Sequence, residues 1–244
     1  DTFDPINAGA GLMHNKFFVI DAADRSSDRD DWVTMGSWNA TDPGTLDDAQ
    51  NAVFIQDQAL AAVYTKEFEE MWGSDTDAAN STRSRFGARK LNNTPHRIVI
   101  NGMWVDAWFS PSDQTTEYLR RSIAAASTSV YFCVMTYTRS DLAGSMGDLV
   151  TAGKAVRGVM DNNTDQSNKF AALKTKGVDV LLKKNLTGIM HHKYALVDAD
   201  APAGSADPVV LTGSHNWSNS AEFANNENTL GFHSATLAKL YLQE

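Results

Sequence analysis

Two copies of a histidine–lysine pattern stand far apart in this chain, and their residue types are suited to catalysis. Both copies follow the spacing His-x-Lys-x-x-x-x-Asp and consist of His14, Lys16 and Asp21 and of His191, Lys193 and Asp198. An imidazole can attack an electrophile or transfer a proton near neutral pH, and an ammonium group neutralises anionic oxygens. The pattern therefore points to chemistry on an anionic substrate.

An offset of 177 positions relates the two copies (14 to 191, 16 to 193) and continues without a gap. It also matches Gly11, Met13, Gly36, Ser37, Asn39 and Asn51 with Gly188, Met190, Gly213, Ser214, Asn216 and Asn228. A single short motif is weak, whereas two copies followed at a fixed distance by Gly-Ser-x-Asn indicate an internal repeat. The alternative is a duplicated scaffold that has lost its chemistry, but erosion would remove the polar positions first, and those are the ones that match.

These residues resemble the signature of the phospholipase D superfamily, a paired HKD motif with a downstream Gly-Ser-x-Asn segment. The region from about 110 to 242 is most similar to the small bacterial HKD endonucleases of that superfamily, through segments 109–111, 188–191, 213–216 and 226–228. The resemblance covers nearly the whole chain except about 73–97. It implies a phosphodiesterase that uses neither a metal nor a cofactor.

The resemblance also implies a mechanism with a covalent intermediate. One imidazole attacks phosphorus to form a phosphohistidine, while the opposite imidazole protonates the leaving alcohol and then activates water. The phosphate-binding groups would be Lys16, Lys193, Ser37, Asn39, Ser214 and Asn216. These residue types suffice for this chemistry without singling it out.

Strand geometry predicts which residues of each motif face the substrate. Side chains two positions apart share a face of a strand, so the histidine and lysine of each copy point together. Asn15 and His192 point away from them. Asp21 and Asp198 belong to the catalytic motif but lie an odd number of positions from their histidines. We expect these two aspartates to hold local structure rather than contact substrate.

The two halves differ at one informative position. In the superfamily, the residue at this position forms a hydrogen bond that orients the catalytic histidine. Gln50 in the first half corresponds to Glu227 in the second (50 + 177 = 227). Pairing within each half would place Gln50 beside His14 and Glu227 beside His191. A carboxylate favours imidazolium and a neutral amide does not. This predicts His191 as the acid and His14 as the nucleophile, with Glu227 part of the catalytic set.

Alternating strands and helices predict an α/β protein. We expect two pseudo-symmetric phospholipase D-like lobes, each a central mixed β-sheet flanked by helices. The predicted division is 1–75 for the C-terminal part of the first lobe, 76–97 for a linker and 98–244 for the second lobe. Positions 105–177, which are 73 residues, have no counterpart because 178 − 177 = 1. The first lobe is therefore expected to be truncated at its N-terminus, unless another chain supplies those elements.

Local patterns predict several individual elements. Positions 16–20 run apolar without alternation, which is typical of a strand buried on both faces. Asn101 and Gly102 predict the turn of a hairpin over 98–105. Ser112 or Asp113 is expected to cap a helix that ends near 126. His215 stands at the position of Trp38 within the Gly-Ser-x-Asn turn, where it either lines the pocket or serves the turn alone.

The linker carries a group of cations that could contact an anionic substrate. We expect them to face solvent instead, as such charge runs usually do; they are Arg83, Arg85, Arg89, Lys90 and Arg97.

The amino-acid composition restricts the classes of function that remain. The 244 residues carry a formal net charge of −9, which argues against generic coating of nucleic acid. Cys133 is the only cysteine, so neither an intrachain disulfide nor a cysteine-based metal site is available. We expect no metal, no cofactor and no transmembrane segment. Polar loops and few lysines suggest a secreted or periplasmic bacterial protein.

Three functions remain open from the sequence. The leading hypothesis is a phospholipase D-type enzyme that cleaves a phospholipid phosphodiester and is also able to transfer the phosphatidyl group to an alcohol. The second is an HKD endonuclease acting on DNA or RNA, which the similarity of 110–242 favours and the acidic charge opposes. The third is a noncatalytic fragment or binding module. The oligomeric state and the head group stay open.

Overall fold

A computed structural model describes residues 11–22 and 30–244 of the chain. Residues 1–10 and 23–29, which belong to the predicted first lobe, lie outside the described residues. The first lobe contains β1 (Phe17–Ile20), β2 (Trp32–Gly36), α1 (Asp42–Leu46), β3 (Ala52–Gln56) and α2 (Gln58–Trp72). The second lobe begins with β4 (Arg97–Ile100), β5 (Met103–Ser110), α3 (Thr115–Ala124), β6 (Ser129–Val134) and α4 (Ser140–Thr151). It continues with β7 (Ala155–Met160), α5 (Phe170–Thr175), β8 (Asp179–Leu182), β9 (Lys193–Val197), β10 (Val209–Gly213), α6 (Asn219–Phe223), β11 (Glu227–His233) and α7 (Ala235–Tyr241).

The strands form two sheets. In the described part of the first lobe, β1-β2-β3 make an antiparallel sheet, and in the second lobe eight strands follow the order β4-β5-β11-β10-β9-β6-β7-β8. The pairs β6–β7 and β7–β8 are parallel and the others antiparallel, so the larger sheet is mixed. The predicted α/β architecture is confirmed, with a mixed sheet flanked by helices in the second lobe. The mixed sheet predicted for the first lobe is not seen, because the strands described there are all antiparallel.

The sequence repeat is also a structural repeat. Adding 177 to both ends of β2 gives β10, and adding it to both ends of α1 gives α6. The helix caps repeat as well, because Thr41 accepts a hydrogen bond from the backbone of Gly44 and Ser218 accepts one from Ala221. Such a cap satisfies a backbone N–H that has no partner within its helix. Equivalent residues therefore start equivalent helices after each Gly-Ser-x-Asn turn.

A common hydrophobic core joins the two lobes. Val33 and Met35 of β2, together with Leu60 and Tyr64 of α2, belong to the same buried cluster as side chains of β5, β9, β10, β11 and α7. Tyr64 is fully buried and packs edge-to-face on Phe109, with ring centroids 5.2 Å apart. Burial of this apolar surface fixes the relative placement of the lobes.

The outer faces of the two sheets differ. In the second lobe, Ala195 and Val197 of β9 are buried in a second cluster with side chains of α3 and α4. Their first-lobe equivalents, Phe18 and Ile20, are 52% and 46% exposed, and Phe54 on the same face is 66% exposed. The prediction that β1 is buried on both faces is therefore wrong. Its uninterrupted apolar run suits two covered faces, but the described residues cover only one.

Two local predictions near β5 had different outcomes. The hairpin is confirmed, since β4 and β5 pair across Asn101 and Gly102, both with positive φ. The predicted capping residue is wrong, because the residue that precedes the first turn of α3 is Gln114 and not Ser112 or Asp113. The carboxylate of Asp113 accepts from the backbone N–H of Phe109 at 2.9 Å and therefore stabilises the preceding turn.

The linker is not wholly solvated. The side chain of Lys90 is completely buried, where it forms an ion pair with Glu67 of α2 and donates to the carbonyl of Ser110 at 3.0 Å. The expectation that Lys90 faces solvent is therefore wrong, because this lysine links α2 to the end of β5. Arg97 is part of β4 and binds both carboxylate oxygens of Asp106.

The described residues lack two features, a membrane-spanning helix and a cluster of metal ligands. In this part of the chain, no helix is both long and apolar enough to span a bilayer. Residues 11–22 and 30–244 also contain no group of three or more His, Cys, Asp or Glu side chains placed to hold a metal ion.

Candidate active site

The two HKD motifs meet at the boundary between the lobes. The ring centroids of His14 and His191 lie 6.4 Å apart, with the rings inclined by 70°. The backbone N–H of His14 donates to the carbonyl of Asn226 at 3.0 Å, and that of His191 donates to Ala49 at 2.8 Å. The backbone of the opposite lobe therefore positions each histidine.

The orienting residues also come from the opposite lobe. Glu227 contacts Nδ1 of His14 through Oε2 at 2.7 Å, and Gln50 contacts Nδ1 of His191 through Oε1 at 2.8 Å. The expectation of pairing within each half is therefore wrong. The reason is the short parallel bridges Met13–Asn226 and Ala49–Met190, which bring each orienting residue beside the histidine of the other lobe.

The contacts of Gln50 determine the tautomer of His191. Gln50 Nε2 donates to the carbonyl of Gly44, while Oε1 accepts from the backbone N–H of Asn39, so Oε1 is an acceptor. The second contact of His191 Nδ1 is the carbonyl of Ser37 at 2.9 Å. Both partners can only accept, so Nδ1 carries the proton and Nε2 of the neutral ring holds the free lone pair.

The surroundings of His191 strongly favour its neutral form. Burial, followed by the nearby charges of Lys193 and Lys16, lowers the pKa of His191 to about 3, against the opposing hydrogen bond to Ser37. His191 is 5% exposed. A bound anion between the lysines would remove part of this effect.

Glu227 is a fully buried carboxylate. Although burial opposes ionisation, the hydrogen bond and charge of His14 hold the pKa of Glu227 below its usual range. Its other oxygen, Oε1, accepts from the side-chain amide of Asn225 at 3.1 Å, and Asn225 in turn accepts from the backbone N–H of Leu12. Sequence reasoning missed Asn225, which stands at the position of Asp48 and so gave no signal in the repeat.

The two lysines bring positive charge into the same site. Lys16 Nζ donates to the carbonyl of His14 at 2.7 Å, and Lys193 Nζ donates to the carbonyl of His191 at 2.6 Å. Burial lowers the pKa of Lys16 to about 8, against the charge of Glu227. Burial and then the charge of Lys16 lower the pKa of Lys193 well below its usual value. An anionic substrate would relieve this repulsion.

Behind the histidines, a second layer of polar contacts again crosses between the lobes. Asn228 donates to Asn15 at 2.9 Å, and Asn51 contacts Nδ1 of His192 at 3.1 Å. The prediction that Asn15 and His192 point away from the catalytic face is confirmed. The repeat marked both asparagines, but a repeat alone cannot show whether they pair within a half or across the halves.

The predicted phosphate-binding residues occupy two different places. Ser37 and Ser214 are 0% exposed, and their hydroxyls accept from the backbone N–H groups of Asn51 and Asn228, both at 3.1 Å. They stabilise the turns behind the site, so their assignment as phosphate contacts is corrected. The side chains of Asn39 and Asn216 stay partly exposed. For these two asparagines, phosphate binding remains a prediction.

The two motif aspartates lie away from the histidines. Asp198 follows β9 at the end opposite Lys193 and accepts from the backbone N–H groups of Ser127, Thr128 and Ser129 at 2.7 to 3.1 Å. These bonds hold its pKa below the usual value despite burial. Asp198 therefore has the structural role expected from its spacing rather than a catalytic contact. Asp21, its counterpart, has the same positive φ and is exposed.

The chain is similar to a protein family, to curated proteins and to solved structures. The profile of the family described as "Cardiolipin synthase, PLD-like domain" matches residues 2–72 and 119–244. Mitochondrial cardiolipin hydrolase of Xenopus tropicalis is 33% identical over 135 residues, which are 54% of this chain and 60% of the hydrolase. Phosphatidylserine synthase of Haemophilus influenzae aligns with 96% of this chain and 60% of its own, at a TM-score of 0.64 and 14% identity, a likeness of fold alone. Nuc, a phospholipase D family member of Salmonella typhimurium, aligns with 57% of this chain and 89% of its own, at a TM-score of 0.49 and 26% identity.

The matches cover different shares of the chain. The chain spans 60% of the length of the curated Xenopus hydrolase. The family profile, in contrast, matches well over half of this chain and includes both histidine–lysine pairs. The chain therefore belongs to the phospholipase D-like family.

Proposed function

We propose that this protein is a metal-independent phosphodiesterase that cleaves a phospholipid phosphodiester through a phosphohistidine intermediate. The observation that carries the proposal is the crossed pair, with His14 and His191 6.4 Å apart and each ring oriented by the other lobe. At this separation, one phosphorus centre can lie within reach of both rings. The buried Lys193 and the partly buried Lys16 supply the positive charge that a phosphoryl group requires.

In the first step, Nε2 of one histidine forms a bond to phosphorus as the bond from phosphorus to the leaving alcohol breaks. The opposite imidazolium gives its Nε2 proton to the departing oxygen. Lys16 and Lys193 balance the charge on the nonbridging oxygens. In the second step, the now neutral imidazole takes a proton from water, the water oxygen bonds to phosphorus and the N–P bond breaks. The products are phosphatidate and the head-group alcohol.

The crossed partners determine which histidine performs which role. A ring phosphorylated at Nε2 and protonated at Nδ1 is cationic, and the buried carboxylate of Glu227 offsets that charge at His14. The amide of Gln50 cannot do so at His191. We therefore assign the attack to His14 and the proton transfer to His191. The roles equal those expected from the sequence, but the earlier reason no longer holds, because the crossed contacts place the carboxylate that favours imidazolium beside His14. The assignment rests instead on the charge of the phosphorylated ring.

Proton transfer by His191 requires that the ring gain a proton when substrate binds. In the free site, burial and the two lysine charges hold the ring neutral. The anionic oxygens of a phosphodiester between Lys16 and Lys193 offset the lysine charges and favour the charged ring, which opposes the larger effect of burial. Substrate binding should therefore be accompanied by proton uptake, which calorimetry in buffers of different ionisation enthalpy measures.

The proposal is tested by supplying two kinds of phosphodiester in the presence of EDTA. Vesicles containing phosphatidylcholine or cardiolipin form one arm, and plasmid or single-stranded DNA forms the other. We expect phosphatidate from the lipid arm, unaffected by the chelator, and phosphatidyl transfer when a primary alcohol is added. The His14→Ala chain is the control for contaminating activity.

Other outcomes would replace the proposal. Cleavage of DNA without lipid hydrolysis would assign the same site to nucleic acid. Equal behaviour of the wild-type chain and the His14→Ala chain in every arm would indicate a noncatalytic module.

A further inference from the structure

Four exposed apolar side chains occupy symmetry-related places near the catalytic histidines. Leu12 and Ile189 each stand two positions before a catalytic histidine and are 48% and 38% exposed. Leu46 and Phe223 are the last residues of α1 and α6 and are 79% and 63% exposed. The offset of the repeat relates the members of both pairs (12 + 177 = 189, 46 + 177 = 223). We call these four side chains the apolar rim.

The crossed contacts between the lobes place the apolar rim at the mouth of the site. The backbone N–H of Asn226 donates to the carbonyl of Leu12 at 2.8 Å, so Leu12 lies next to the segment that follows α6. The backbone N–H of Ala49 donates to the carbonyl of Ile189 at 2.9 Å, so Ile189 lies next to the segment that follows α1. Side chains two positions apart share a side of an extended segment, so Leu12 and Ile189 face the same side as the catalytic histidines. Each side of the mouth thus carries one rim residue from each lobe.

Burial does not explain why the rim positions are apolar in both lobes. The two short helices have diverged at the surface, yet both end in a large apolar side chain that is mostly exposed. One exposed apolar side chain is ordinary on a protein surface, whereas a group of them repeated around one site indicates an interaction surface. The four preceding positions, in contrast, differ between the helices and are Asp42, Pro43, Gly44 and Thr45 in α1 and Asn219, Ser220, Ala221 and Glu222 in α6.

The surroundings of the rim limit the kind of partner. A second copy of the chain or another protein that covered the rim would also close the mouth of the site. Asp42 and Asp47, which stand on either side of Leu46 in the sequence, are exposed, and their charges would repel a polyanion such as nucleic acid. A bilayer of zwitterionic phospholipid meets neither obstacle, because it carries no net charge and contains the molecules that the site must admit.

We propose that the apolar rim inserts into the surface of a zwitterionic phospholipid bilayer and holds the mouth of the site against the lipid head groups. The inference rests on the proposed function for its catalytic consequence but not for binding to the bilayer. Apolar side chains gain free energy when they leave water for the boundary of the acyl chains, and the gains of several side chains add up. Because rim residues lie on both sides of the histidine pair, insertion turns the site toward the membrane.

The test measures sedimentation of the whole chain with phosphatidylcholine vesicles. All chains carry His14→Ala, so that cleavage does not change the vesicles during the measurement. The first rim variant combines Leu46→Gln with Phe223→Gln, and the second combines Leu12→Gln with Ile189→Gln. Substitutions at exposed positions should leave the fold intact. We expect each rim variant to weaken vesicle binding about tenfold or more.

The matched control is Leu240→Gln in α7. Leu240 is also an exposed leucine, at 59%, but it belongs to the C-terminal segment behind the site, where Glu244 contacts Nε2 of His192 at 2.9 Å. We expect this variant to bind vesicles as the unsubstituted chain does. A general loss of apolar surface would weaken all three variants equally and would overturn the inference.

Activity gives a second readout in chains that retain His14. The rate on phosphatidylcholine vesicles is divided by the rate on monomeric dibutyroyl phosphatidylcholine, which needs no membrane contact. We expect this ratio to fall about tenfold in the rim variants and to stay constant in the Leu240→Gln chain.

The remaining outcomes separate the inference from the proposed function. Unchanged vesicle binding in both rim variants would overturn the inference, and so would rim variants that lose only single-stranded DNA binding or only self-association. Lipid cleavage together with rim-independent vesicle binding would overturn the inference alone. Rim-dependent vesicle binding by a wild-type chain that cleaves no lipid would overturn the proposed function alone.

Discussion

The two lobes share a backbone frame but divide the chemistry unequally. The offset of 177 residues relates equivalent strands, helix caps and histidine–lysine pairs of the two lobes. Each lobe also provides the residue that orients the catalytic histidine of the other lobe. The orienting groups, however, differ in charge. The second lobe supplies the carboxylate of Glu227, whereas the first supplies the neutral amide of Gln50. Symmetry thus builds a site for one phosphorus centre, and asymmetry lets the two histidines perform different roles.

The outer layers of the lobes differ as well. Helices α3 and α4 cover the second sheet, while Phe18 and Phe54 remain more than half exposed on the first. The inner faces of both catalytic strands nevertheless contact the common core, through Phe17 and Val19 of β1 and through Tyr194 and Leu196 of β9. The catalytic geometry therefore depends on the interface between the lobes more than on the completeness of either layer.

The largest expected effect comes from removing either histidine. His14→Ala should abolish turnover, because the nucleophile is lost, and His191→Ala should lower kcat by about 10²–10⁴-fold, because the leaving alcohol is no longer protonated. Lipid hydrolysis at substrate saturation measures both. His192→Ala, which changes the ring on the back of the strand, is the matched control. A variant lacking either catalytic ring but retaining wild-type kcat would contradict a shared site.

The motif aspartates give the clearest stability difference between the lobes. Asp198→Ala removes hydrogen bonds to three consecutive backbone N–H groups and should lower the free energy of unfolding by about 2–4 kcal/mol. Asp21→Ala changes an exposed side chain and should stay within about 0.5 kcal/mol. Urea unfolding measures both. Equal losses would show that the aspartates share a role we have missed.

The orienting residues should show the division of roles directly. Glu227→Gln removes the charge that stabilises a cationic phosphohistidine and should lower kcat by about 10²-fold or more. Gln50→Glu should instead raise the pKa of His191 from its value of about 3, because a carboxylate favours the charged ring. Histidine NMR titration measures that shift. A fall in the pKa of His191 would refute the assigned contact.

A smaller effect concerns the buried pair that anchors the linker. Burial raises the pKa of Glu67 from 4.5 to about 7, so the folded chain binds this proton more tightly than the unfolded chain. The resulting stability is present below pH 4.5 and is lost as the pH rises through about 7. Glu67→Gln, which cannot titrate, should lose less stability over that interval, as measured by urea unfolding. The partly exposed Glu69→Gln should follow the wild type.

Much of the fold could be predicted from the sequence because the repeat fixes equivalent elements. Helix α2 and the hairpin at Asn101 follow from periodicity and turn chemistry, which are local properties. The exposed face of β1 could not be predicted, because an apolar run does not reveal whether both faces are covered. The buried Lys90 was missed for a similar reason, since its partner Glu67 is distant in sequence. The expectation of an exported protein stays a prediction.

The candidate site shows the same limit. The identities of His14, Lys16, His191 and Lys193 follow from spacing alone, and the structure brings the two pairs together. The partner of each histidine could not be predicted, because Gln50 and Glu227 stand at equivalent positions and a repeat is equally consistent with pairing within or across the halves. Only the packing of the lobes distinguishes the two arrangements.

Trapping of the covalent intermediate tests the central claim most directly. A lipid with a labelled phosphate and a leaving group that needs no protonation, such as p-nitrophenolate, is mixed with the His191→Asn chain, which should form the intermediate but hydrolyse it slowly because no imidazole activates water, and the quenched protein is mapped by mass spectrometry. We predict a single phosphorylated residue, His14, and no label in the His14→Asn chain. Label on His191 in the wild-type chain would reverse the assigned roles, and hydrolysis without any phosphohistidine would contradict the account.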